Sequence, residues 1–183
     1  FQNYFILNDQ KPPHIREEIN YVKLSRYIRS LENHDNIIDE KFNKYNSPDI
    51  YRHLYSIIKN HIPERSSVIM LPYIQYFRDV FPNYNFFYLE HPDGNLSLGS
   101  KLASSIISER LKDLLDADHK DLHLNFTFLY DDLRERYLKI DDNKVNFLIG
   151  KYPNYNYFIT ESGHELNHTK IFEDEYYVVY KLN

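Results

Sequence analysis

The chain has 183 residues, 42% of them hydrophobic, enough for one domain with a true core and too many for a disordered polypeptide. Its formal net charge of −5, with no basic block, argues against a nucleic-acid surface. Cysteine is absent, which removes disulfides, thiolate metal sites and a cysteine nucleophile.

Residues 1–13 end in Pro12-Pro13, which blocks a helix before them. Ile15, Ile19, Val22, Tyr27, Ile28 and Leu31 recur on one helical face. Residues 35–46 are polar and read as loop. Ser47 as N-cap, Pro48 at the first helical position and Asp49 open a second helix with a stripe of Ile50, Leu54, Ile57 and Ile58. It stops at His61-Ile62-Pro63. Val68 to Leu71 is a short apolar run closed by Pro72, the pattern of a strand buried on both faces in a parallel sheet. Tyr84 to Glu90 is the next strand, and His91-Pro92-Asp93-Gly94 a turn.

Leu98 to Leu115 is a long helix, in which Leu102, Ile106, Arg110 and Leu114 share one row beside Ile107 and Leu111. Phe126 to Leu138 is another, with Phe126, Leu129, Tyr130, Leu133 and Tyr137 on one face. Asp141-Asp142 caps a short helix reaching Tyr152, which Pro153 ends. Tyr155–Thr160, Thr169–Phe172 and Tyr176–Leu182 read as strands, the last two an antiparallel hairpin about Glu173-Asp174-Glu175. The expected fold is therefore α/β: a Rossmann-like mixed sheet with parallel first strands, a C-terminal antiparallel hairpin and flanking helices. Residues 1–47 form a helical extension or linker and 48–183 the α/β domain. No apolar run reaches the ~18–20 residues that span a bilayer.

Ligands of open α/β sheets sit beyond the carboxyl ends of the strands. Tyr73 and Arg78 follow the first strand, Glu90, His91 and Asp93 the second, and Glu161 and Ser162 the third. Tyr73, Arg78, Glu90, Asp93 and Glu161 are thus the candidate ligand-binding residues. No glycine-rich phosphate loop follows any strand and no Gly-x-Ser-x-Gly elbow occurs, so neither a dinucleotide cofactor nor a serine hydrolase is expected. His164-Glu165-Leu166-Asn167-His168 matches the zinc-peptidase pattern. That chemistry needs a helix, where both histidines face one ion; on a strand they stand roughly 13 Å apart. Gly163 before it and Thr169 and Ile171 after it favour loop and strand, so His164, Glu165 and His168 are read as a coincidence and no metal is expected. Asn95, Asn125 and Asn167 lie in Asn-x-Ser/Thr sequons, which matter only for a chain secreted by a eukaryote.

Two stretches carry a family likeness. One runs Leu54-Tyr-Ser-Ile-Ile-Lys-Asn-His-Ile-Pro63, then Ser67 to Pro72, Phe77-Arg78, Phe86 to Glu90 and Ser108-Glu109-Arg110. The other is Leu148-Ile-Gly-Lys-Tyr-Pro-Asn-Tyr-Asn-Tyr-Phe-Ile159 with Tyr176-Tyr-Val-Val-Tyr-Lys-Leu182. Together they are similar to the C-terminal soluble domains of bacterial multi-pass membrane proteins related to the lipid-linked-sugar (GT-C-like) glycosyltransferases. Pro82-Asn83 stand where that pattern usually has an arginine. The resemblance implies an extracytoplasmic domain beside a membrane catalyst, non-catalytic on its own; no cofactor is expected. It would be joined through an N-terminal multi-pass region and near a polyprenyl-linked sugar or glycan acceptor. No catalytic residue carries over, because in such families those residues lie between membrane helices. The alternatives are a zinc-dependent hydrolase through His164, Glu165 and His168, and a free-standing small-ligand-binding protein.

Overall fold

The computed structural model describes residues 44–45, 47–74, 81, 83–87, 109–117 and 126–182, with the backbone alone at 126–130. Lys44 and Tyr45, expected in a loop, have helical backbone. Helix α1, Pro48–His61, begins as its sequence dictates: the Ser47 hydroxyl accepts from Ile50 N, proline fills the first turn and Asp49 meets the positive end of the dipole. Tyr51, Leu54, Ile57 and Ile58 are its buried side chains. Ile62 is extended because Pro63 follows it.

Strand β1 is Ser67–Ile69 and β2 is Asn85–Phe86. Residues 109–115 form α2. Then come α3 (Phe126–Tyr137), α4 (Asp142–Lys151), β3 (Tyr157–Glu161), β4 (Thr169–Glu173) and β5 (Tyr177–Lys181). The sheet order is β2-β1-β3-β5-β4. β1 is parallel to both of its neighbours, Val68 standing opposite Phe86 on one side and Tyr157 on the other. β3 pairs with β5, and β5 with β4, in antiparallel fashion. This is the mixed α/β sheet that the sequence predicts, with β1 enclosed by parallel strands and Val68 and Ile69 fully buried.

The ladder differs from expectation at its ends. β1 stops at Ile69; Met70 and Leu71 stay buried but leave the ladder for the turn that Ile74 N closes on Leu71 O. β3 starts at Tyr157, because Tyr155 N still turns back onto Tyr152 O after Pro153. Of the strand expected over Tyr84 to Glu90 only Asn85–Phe86 forms, Tyr84 N instead turning back onto Phe81 O at 3.1 Å and Phe87 lying in a bend; 88–90 and the expected helices at 14–31 and 98–108 lie outside the described residues.

Side chains alternate across a strand, so Phe158 and Glu161 belong to opposite faces. On the first face, Tyr137 of α3 stacks on Phe158 with centroids 5.1 Å apart and planes 1° apart, and its hydroxyl donates to Ile159 O at 2.8 Å. On the second, the His53 ring of α1 lies 5.7 Å from Tyr177, the partner of Glu161. Helices therefore cover both faces, and the core lies in two layers about β1, β3 and β5. The edge strand β4 is largely exposed, its register slips between Lys170 and Phe172, and Lys170 binds Glu165 at 2.9 Å and Glu173 at 3.1 Å.

Candidate functional site at the carboxyl edge

Where β1 and β3 end, two loops and a helix converge. The turn after β1 carries Tyr73 inward, leaving it 2% exposed. Glu161 is the last residue of β3, so its side chain leaves the sheet at the rim. Arg134 reaches the same point from α3. The Tyr73 hydroxyl donates to Glu161 Oε1 at 2.5 Å and Arg134 Nε donates to the same oxygen at 2.6 Å, while a second guanidinium nitrogen donates to Oε2. This is the two-pronged arginine–carboxylate geometry with a phenol added, the strongest ordinary arrangement of such groups.

A second pair stands one helical turn away on α3. Asp131 accepts from Lys44 Nζ at 3.1 Å and from the Tyr45 hydroxyl. Tyr45 meets Tyr73 edge to face, with centroids 5.2 Å apart, and Lys44 Nζ lies over the Tyr45 ring at 4.7 Å. Residues 131 and 134 share a face of α3 because positions three apart do so. The cluster thus sets two cations against two carboxylates around two tyrosines.

The electrostatics fix the proton positions. Burial, then the Glu161 charge and its hydrogen bond, push the Tyr73 hydroxyl far above the ordinary tyrosine range. Burial, then the Glu161 and Asp174 charges, push Tyr177 up as well. The hydrogen bond to Glu161 raises Arg134 despite some desolvation. At neutral pH Tyr73 is a hydrogen-bond donor and Arg134 a fixed cation. Groups in these protonation states are suited to donating hydrogen bonds to a polar partner.

Of the residues expected from sequence, Tyr73 and Glu161 are brought into direct contact. Arg78, Glu90 and Asp93 lie outside the described residues. Ser162 is held through its backbone, its N–H donating to Tyr176 O at 2.8 Å. Arg134, Asp131, Lys44 and Tyr45 escape sequence reasoning. The one available signal is that Asp131 and Arg134 sit three apart beside an apolar stripe.

The His164–His168 segment is a loop between β3 and β4 that turns at Gly163, whose positive φ of 85° demands glycine. His164 Nδ1 lies 2.7 Å from Thr160 Oγ1 and Nε2 lies 2.7 Å from Ile140 O, so both ring nitrogens serve the fold. Glu165 binds Lys170. The helical geometry that a zinc-peptidase site requires is not present there. Among the described residues no group of three or more potential ligands could hold a metal ion.

Two other polar features are structural. Asp174 accepts from Tyr176 N and Tyr177 N, both at 2.8 Å, and lies 2.6 Å from His53 Nε2, tying the β4–β5 turn to α1. A groove of about 460 Å³ between α2, α3 and α4 is lined by cations that already have partners: Arg136 with Asp132, Lys139 with Glu135 and Lys144 with Asp116.

Together, the parallel strands and their carboxyl-edge cluster define an α/β protein with a candidate polar-ligand site. No family model, curated protein or solved structure matches the chain. Among the described residues no helix is long and apolar enough to cross a membrane.

Proposed function

We propose that this chain is a soluble, extracytoplasmic accessory domain of a membrane glycosyltransferase-like protein. In this reading it recognises a polar group of a lipid-linked sugar or glycan acceptor and performs no chemistry by itself. The observation that carries the binding role is the convergence of Tyr73, Arg134 and Glu161 at the carboxyl edge of β1 and β3. Arg134 keeps donors beyond those given to Glu161, and its side chain is 39% exposed. The family assignment draws on the sequence likeness, with Pro63, the apolar β1, Pro72 and the tyrosine-bearing β5 as its landmarks. A protonated Tyr73 and a paired Arg134 suit recognition better than acid–base catalysis.

The test has two arms. Titration with a short-chain prenyl-diphosphate sugar and with free sugar phosphates should raise Tm, and Arg134→Lys should weaken that protection about tenfold. The coding sequence upstream of Phe1 should encode several apolar spans of ~20 residues. Absence of such spans would leave a free-standing binding protein using the same cluster. Absence of protection by every sugar ligand would sink the binding role.

A further inference from the structure

A second site stands apart from that cluster. Arg110 of α2 is half-buried, yet among the described residues it makes a single hydrogen bond, from one terminal nitrogen to Phe87 O at 3.0 Å. Its guanidinium carbon lies 5.4 Å from the Phe87 ring centre and 5.9 Å from that of Tyr155. A guanidinium has five N–H donors, and among the described residues no carboxylate pairs with this one. The neighbouring acids do not serve it: Glu109 and Asp113 both bind Lys151, at 2.8 and 2.7 Å. Charges drawn this far from water are ordinarily paired.

The adjoining Tyr155 is anomalous in a complementary way. It is 3% exposed, and among the described residues its hydroxyl finds no acceptor for its proton. The Asn85 amide nearby donates to Ser67 Oγ at 3.1 Å. Burial pushes the Tyr155 hydroxyl up, while the Arg110 charge and the Asn85 amide pull it back. Among the described residues, a guanidinium without a carboxylate lies against the ring of a tyrosine whose O–H has no acceptor, and an oxyanion would supply what both lack.

We propose that Arg110 and Tyr155 form an anion-binding site for a compact oxyanion, the phosphate or carboxylate end of a ligand, packed against Phe87. Tyr155 precedes β3 and Glu161 closes it, so the two sites are separated by at least ~13 Å of strand. The oxyanion site therefore stands or falls independently of the carboxyl-edge reading.

The experiment titrates the full chain with inorganic phosphate and, separately, with acetate, against chloride at equal ionic strength. It follows Tm and the ¹H–¹⁵N signal of Arg110 Nε. One oxyanion should protect beyond chloride and shift that signal, and which one does so separates phosphate from carboxylate. Arg110→Met should abolish the protection, and Tyr155→Phe, which keeps the ring, should weaken it about 3- to 10-fold. Protection no greater than that of chloride, or protection undiminished in Arg110→Met, overturns the proposal. Should Arg110→Met not fold, the wild-type Nε signal decides: an unmoved signal overturns the site as well.

Discussion

Replacing Tyr73 by phenylalanine removes one hydroxyl and leaves the ring against Tyr45. The lost bond is short, 2.5 Å, and its acceptor is a charged carboxylate. Hydrogen bonds to charged groups contribute about 1.5–3 kcal/mol each. Glu161 keeps both bonds from Arg134, and its side chain is 22% exposed, so water can repair part of the loss. We therefore expect a destabilisation near the lower half of that range, about 2 kcal/mol. For a chain of this length that corresponds to roughly 4–8 °C in Tm. Urea unfolding should show a lower midpoint with an unchanged slope, since the surface exposed on unfolding is the same. In the double variant with Arg134→Met the two effects should fall short of or exceed their sum by at least ~0.5 kcal/mol, because both side chains share one carboxylate. A Tyr73→Phe change below about 0.5 kcal/mol, or strict additivity with Arg134→Met, would refute the idea that the three groups act as a unit.

Tyr84 and Tyr152 are each pushed up to about 12, chiefly by burial. Their folded values lie above the unfolded value of about 10, so their stabilising effect is complete below pH ~10 and disappears as pH rises through 12. Absorbance at 295 nm should then rise in step with loss of circular dichroism; full tyrosine ionisation near pH 10 with native dichroism would contradict this. His164→Ala should destabilise by about 2 kcal/mol, since it strips Thr160 and Ile140 of their partner, while a chelator leaves the wild-type Tm unchanged. A Tm that falls with chelator would restore the metal reading. Asp141→Ala should cost about 1 kcal/mol and Ser47→Ala less, because the caps reach their amides at 2.9 and 3.4 Å. The reverse order in urea melts would show that cap geometry does not set the difference.

The elements that could be read in advance are those specified by neighbours in sequence. Ser47-Pro48-Asp49 fixes the start of α1 within three residues, Asp141 caps α4, and the Glu173-Asp174-Glu175 turn brings β4 to β5. β1 was legible because four apolar residues bounded by Ser67 and Pro72 have few other uses. Its exact end was not, since Met70 and Leu71 are as buried as a strand residue while a turn takes their backbone. The site was half legible for a similar reason. A rule about strand ends picks out Tyr73 and Glu161, but nothing local says that Arg134 or Asp131 will reach them. Those depend on how α3 crosses the sheet, a tertiary property set by Tyr137 on Phe158 and by Leu133 in the core. Arg110 shows the converse: its place on an apolar row is visible in sequence, whereas the turning of its neighbouring acids to Lys151 is a property of the fold.

The C-terminal edge strand, β4, has a consequence for the chain in solution. A flat, bare edge offers a row of backbone amides and carbonyls on which another copy can add its own strand, the first step towards fibrils. β4 opposes that template twice, by a register shift that breaks the repeat and by a charged lysine on the strand, paired with two acids. At high concentration this rim should therefore resist nucleating intermolecular growth.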